Sequence, residues 1–196
     1  MRRHLRLLLL VVLSALAYRP LNRRATTRVL LVPADGAIPL IPATTYPYVA
    51  FLPVYWWTLV MACLRRDPWF PRLALAATLI YAASNATYLV FQTHMPRPEV
   101  VPDGPGAWLL RRVYAEDRPY CDFPSEHAST AVLLALYVNA ARRPWRRPVT
   151  ALALTILPAT LTTKQHTLAG TAGGALLAPA AWALAGRLRG AQLSPE

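Results

Sequence analysis

The chain has 196 residues, 55% of them hydrophobic and only 15% charged, with a mean hydropathy of +0.30. Soluble globular domains carry about 25% charged residues, so too little polar sequence remains here to coat a water-soluble core. The formal net charge of +12 does not mark a nucleic-acid binder: no aromatic-interleaved basic tract or nucleic-acid motif is present, and the arginines sit at the ends of apolar blocks.

About 20 residues in helical conformation cross the hydrocarbon core of a bilayer. In chain order, the apolar blocks are Leu5–Tyr18, Thr45–Leu64, Leu73–Phe91, Ser129–Ala141, Val149–Thr163 and Leu168–Gly186. The second, third and sixth approach spanning length without a charged side chain; the others are shorter and need their flanks or a thinned bilayer. The expected fold is therefore all-α: a polytopic membrane bundle of about six helices in one domain, 1–196. The start of the chain reads two ways. Residues 1–18 are a retained first helix or a secretory signal with a small-residue site at Ala15-Leu16-Ala17.

Basic clusters set the expected orientation. Arg2, Arg3 and Arg6, then Arg65, Arg66 and Arg72, then Arg142, Arg143, Arg146 and Arg147 fall where cytoplasmic loops would be under the positive-inside rule. The long connection His94–Pro124 then faces outward, with Ala107–Tyr114 as a short interfacial helix. Arg19, Arg23, Arg24 and Arg28 run against the rule, and are read as meeting lipid headgroups. Ser84 and Asn85, polar at mid-span, are expected to bond between helices.

Three short stretches converge on the outward face of this topology. They are Met95-Pro96-Arg97-Pro98, Phe123-Pro124-Ser125-Glu126-His127 and Thr163-Lys164-Gln165-His166. Phosphoryl transfer requires cations and donors around the equatorial oxygens and a nucleophile in line with the leaving group. Arg97 offers a planar fork, Lys164 a second cation, and Ser125 a helix N-terminus that favours an anion. His127 suits a general acid, since the ordinary pKa of an imidazole lies near working pH. Each residue also has a plainer role open to it. Arg97 suits a headgroup anchor, Ser125 an N-cap, Lys164 a snorkelling flank, and His127 and His166 structural positions at the interface.

Taken in order, these stretches resemble the three-part signature of the type-2 phosphatidic acid phosphatase superfamily. Asp35-Gly36-Ala37-Ile38-Pro39-Leu40-Ile41-Pro42 and Tyr114–Asp122 are similar to the branch that contains inositol phosphorylceramide synthases. An Arg-Pro pair by itself occurs five times in this chain and carries little; the order, spacing and sidedness of the three stretches carry the likeness. The resemblance implies an integral membrane lipid phosphatase or phosphotransferase without metal or other cofactor. His166 would be the nucleophile and His127 the general acid, with Arg97, Ser125 and Lys164 around the phosphate of a phosphorylated lipid. It also implies a bacterial-type plasma membrane with the site on the extracytoplasmic face.

The pattern breaks at one place. The family has an aspartate four residues after its nucleophilic histidine, one helical turn away; here that position is Gly170, which opens a Gly-x-x-x-Gly with Gly174. Ala159 and Thr160 also stand where the family has Ser-Arg. Three outcomes remain open at this stage. Another carboxylate (Asp35, Asp117 or Asp122) orients His166; or the enzyme is slow; or the protein binds anionic lipid without turnover. Glu126, next to His127, is expected to point to another helix face. Gly170→Asp is expected to raise activity if a latent site is present.

Overall fold

A computed structural model describes residues 1–191. Among them the chain is helical, with one isolated bridge between His94 and Tyr120 and no strand. The helices are α1 (Arg2–Leu16), α2 (Tyr18–Asn22), α3 (Thr45–Leu64), α4 (Phe70–Val90), α5 (Ala107–Glu116), α6 (Glu126–Ala140), α7 (Arg146–Thr162) and α8 (Leu168–Ala191). Every apolar block becomes a helix, and the short helix expected over Ala107–Tyr114 forms as α5.

Four helical segments are long and apolar enough to cross a membrane: Arg2–Asn22, Pro42–Leu64, Phe70–Val90 and Leu168–Leu188. Six spans were expected, and here the structure gives the coarser result. The 15 residues of α6 and 17 of α7 extend about 22 and 26 Å at 1.5 Å per residue, short of a hydrocarbon core of about 30 Å. The outer faces remain apolar. Leu9, Leu13, Trp57, Val90 and Leu176 each expose more than half their surface, a distribution suited to lipid. By contrast α6 is central, packed on α4, α7 and α8 with eight of its 15 residues buried. Between helices, Asn85 donates to the Ser14 carbonyl at 2.8 Å and ties α4 to α1, as its mid-span position predicts, whereas Ser84 Oγ makes no interhelical bond among the described residues.

Three helices end in the same way. After α3, α6 and α7 the next residue but one adopts a left-handed conformation: Arg66 (φ 50°), Arg142 (φ 48°) and Lys164 (φ 52°). Each end carries paired Schellman bonds. Arg66 and Asp67 N–H donate to Cys63 and Ala62, Arg142 and Arg143 to Asn139 and Val138, Lys164 and Gln165 to Leu161 and Thr160. Glycine is the usual residue at such a position; a non-glycine there costs roughly 1 kcal/mol. A cation partly offsets this by facing the negative end of the helix dipole.

Alternation along the chain gathers the N-termini of α3, α6 and α8 with the C-termini of α1, α4 and α7 at one end. The segments 23–44 and 91–125 fold over that end. They are pinned by Ile41 N–H to Thr162 O (2.8 Å), His94 N–H to Arg28 O (2.9 Å) and Tyr88 Oη–H to Pro124 O (2.5 Å). The basic turns after α3 and α6 lie at the opposite end.

Candidate functional site

His127 sits in the first turn of α6 and His166 immediately before α8, yet their ring centroids are 5.9 Å apart. They meet because the loop ahead of α6 lies in a trough of small residues on α8. Ser125 N–H donates to Gly170 O at 2.9 Å. A Cβ at Gly170 would collide with the Asp122 carbonyl and lie 2.6 Å from its carboxylate. One at Gly174 would collide with Ser125 O. The Gly-x-x-x-Gly thus serves close approach, of this loop and the start of α6 to α8.

Asp122 is the carboxylate that reaches His166. Its backbone oxygen is 2.9 Å from His166 Nδ1, and its Oδ1 is 3.6 Å away; the first is a hydrogen bond and the second a close charge. A carbonyl only accepts, so Nδ1 carries the proton and Nε2 keeps its lone pair. Nε2 has no hydrogen-bond partner among the described residues. The Asp122 carboxylate is itself held by Thr167 N–H (2.7 Å) and Thr167 Oγ1–H (2.8 Å). It lies at the N-terminus of α8, where the helix dipole favours a negative charge.

The other two carboxylates named from the sequence have different partners. Asp35 accepts from Val32 N–H (2.8 Å) and from Leu168 N–H (2.8 Å), so it caps α8. Asp117 accepts from Tyr18 Oη–H at 2.8 Å and lies 4.0 Å from Arg97. Burial raises the Asp117 pKa, partly opposed by the Tyr18 hydrogen bond and by Arg97.

Lys164 is not turned to the histidines. Its Nζ donates to Ile38 O (2.6 Å) and Asp35 O (3.2 Å), fastening the Asp35–Pro42 segment to the turn that presents His166. The cation expected at the phosphate is thus a tether. Ser125 is fully buried, and its Oγ accepts from Ala128 N–H at 3.2 Å as the N-cap of α6. Arg97 donates to Asp117 O and Gln165 Oε1, each at 2.6 Å, and lies over the Tyr114 ring at 4.5 Å. Burial lowers its pKa, opposed by Asp117, while burial raises the Tyr114 phenol to about 12.

Several residues of the site were not singled out by sequence reasoning. Tyr48 stacks on His127 at 4.4 Å and its Oη is 3.2 Å from His127 Nδ1. Gln165, the residue before His166, accepts from Arg97. Glu126 was expected on another face; at the start of α6 it instead lines the same cavity as His127 and His166. That cavity is about 370 Å³, walled mainly by apolar side chains, among them Leu16 of α1, Trp56 of α3 and Tyr88 of α4, with Arg19 at its edge.

Four buried polar atoms near His166 have no hydrogen-bond partner: Arg97 Nε, Gln165 Nε2, His127 Nε2 and Glu126 Oε1. An unmet buried donor or acceptor costs about 1–3 kcal/mol, so a cluster of four is expensive unless something else completes it. Gln165 Oε1 must accept from Arg97, which leaves its Nε2 as a donor. The arrangement can hold several acceptor oxygens beside an imidazole with a free lone pair. Comparison with models of protein families, with curated proteins and with solved structures finds no match.

Proposed function

We propose that the protein is an integral membrane lipid phosphatase or phosphotransferase of the type-2 phosphatidic acid phosphatase kind. In this reading α6 and α7 also cross the bilayer with their flanks, and the histidine end faces the extracytoplasmic side of the plasma membrane. The observation that carries it is the His166 imidazole. Its Nδ1–H is fixed on the Asp122 carbonyl, the His127 ring lies 5.9 Å away, and Arg97 bonds to the neighbouring Gln165, each of these three residues keeping an unpaired buried nitrogen.

The chemistry follows from these protonation states. As the imidazolium, His127 would donate Nδ1–H to Tyr48 Oη and present Nε2–H as the acid. His166 Nε2 attacks phosphorus, the P–O bond to the lipid breaks, and the leaving oxygen takes the His127 proton. Water or a lipid hydroxyl then attacks the phosphohistidine, returning its proton to His127 as the N–P bond breaks. Arg97 Nε and Gln165 Nε2 stabilise the equatorial oxygens, and the apolar wall of the cavity accepts the lipid portion. Asp122 does for His166 what the aspartate one turn away does in the family.

Purified protein should release phosphate from a lipid phosphate in mixed micelles, and His166→Ala should lower this by at least about 10⁴-fold. An acid-labile phosphoryl group should be trapped on the parent and not on the variant. Equal turnover by His166→Ala would overturn the reading. Lipid binding weakened by Arg97→Ala, with no turnover by the parent, would instead support a binder of anionic lipid.

A further inference from the structure

The larger cavity, about 650 Å³, lies at the opposite end of the bundle between α3, α6 and α7. Its α3 wall is a stripe at helical spacing, Val54, Trp57, Met61 and Arg65: apolar along the span, cationic at the end. Trp57 in this stripe is 67% exposed, and Trp145 and Val149 face it from the α6–α7 turn and α7. An apolar slot that finishes on a cation has the polarity of an anionic amphiphile, and the tryptophans match the preference of indoles for the membrane interface.

The polar groups of the cavity ask for an anion. Asp67 is fully engaged: it accepts from Tyr137 Oη–H at 2.5 Å and Trp69 N–H at 2.8 Å, and pairs with Arg143. It therefore holds no attraction for a further cation. Arg143 Nε is buried with no partner, and the Arg65 residue is exposed, its side chain without a hydrogen bond or ion pair among the described residues. The two turns carry four arginines, Arg65, Arg66, Arg142 and Arg143. Against them stand Asp67 and the C-termini of α3 and α6, each helix end worth about half a negative charge. The balance is positive by about two charges.

We infer that this cavity is a binding site for an anionic phospholipid of the leaflet opposite the histidine site, with the phosphodiester on Arg65 and Arg143 Nε and an acyl chain along Val54, Trp57 and Met61. A second copy of the chain is a poor occupant, since a self-paired interface here would set arginine against arginine. The site stands whether or not the histidine end turns over substrate.

The experiment uses the full-length protein in zwitterionic lipid nanodiscs, doped with either phosphatidylglycerol or extra phosphatidylcholine. Retained lipid is read by native mass spectrometry. The parent should retain phosphatidylglycerol preferentially, and Arg65→Gln should lower that retention about five-fold, as one arginine near an anionic headgroup warrants. Arg65 holds nothing else in the fold, so the variant tests the site without threatening it. Val149→Trp, which fills the slot, should also reduce phosphatidylglycerol retention. Equal retention of both lipids by the parent, or unchanged retention in both variants, would overturn the proposal. So would full displacement of the lipid by millimolar inorganic phosphate, which would mean that the arginines take a free anion.

Discussion

The two ends of the bundle treat their buried polar atoms differently. At the basic end, Asp67, Tyr137 and Arg143 satisfy one another and one nitrogen, Arg143 Nε, is left over. At the histidine end, Asp122 is equally well satisfied by Thr167. Yet Arg97, Gln165, His127 and Glu126 each keep a buried atom unpaired, the last two lining the cavity of His166. Both clusters join helices that are distant in the chain, so packing alone does not explain the contrast. The first network is closed but for that one nitrogen, and its internal bonds serve stability. The second is open, and an open buried network is costly unless a bound group completes it.

Substitutions at four positions can break or sharpen this contrast. Gly170→Asp carries the largest expected effect. Its Cβ would strike the Asp122 carbonyl, and its carboxylate would compete with that of Asp122 beside His166. Activity should fall by more than 100-fold and thermal stability by about 1–3 kcal/mol, the usual cost of overpacking. A gain in activity, the outcome expected from the sequence for a latent site, would mean that Asp122 does not fill the role. Asp122→Asn comes next. The Nδ1–H bond goes to the main chain, so the His166 tautomer survives. The loss in turnover should be about 10- to 100-fold, as for other groups that orient a reactive imidazole through its surroundings. A larger loss in a folded variant would assign the tautomer to the carboxylate.

Lys164 offers a paired test on stability. Lys164→Ala and Lys164→Gly both lose the bonds to Asp35 O and Ile38 O, but glycine relieves the left-handed backbone at φ 52°. The glycine variant should be more stable than the alanine variant by about 1 kcal/mol in thermal denaturation. The reverse order would place the strain elsewhere. Tyr137→Phe, at the closed end, should cost about 1 kcal/mol and leave phosphate release unchanged. An activity loss there would show that the two ends communicate.

The apolar blocks were legible because a helix in lipid must satisfy its own backbone and present carbon outward, and both demands are met by composition over about 20 residues. Their ends were legible too, although glycine is absent from three of them, because arginines and a lysine mark the same turns. The three-part motif identified His127, His166 and Arg97 as a group, and the chain's alternation brought them to one end. The sequence could not choose among Asp35, Asp117 and Asp122, nor see that Lys164 faces away.

Sequence alone therefore determined the helices, their order and which residues could share a face, since these depend on period and length. Only the tertiary structure decided which acidic residue lies against His166. The Asp122 backbone carbonyl reaches it across 44 positions of chain, with the carboxylate 3.6 Å away, because Gly170 has no side chain to keep the two segments apart. Such an approach depends on how closely two backbones can lie, and no local pattern encodes that distance.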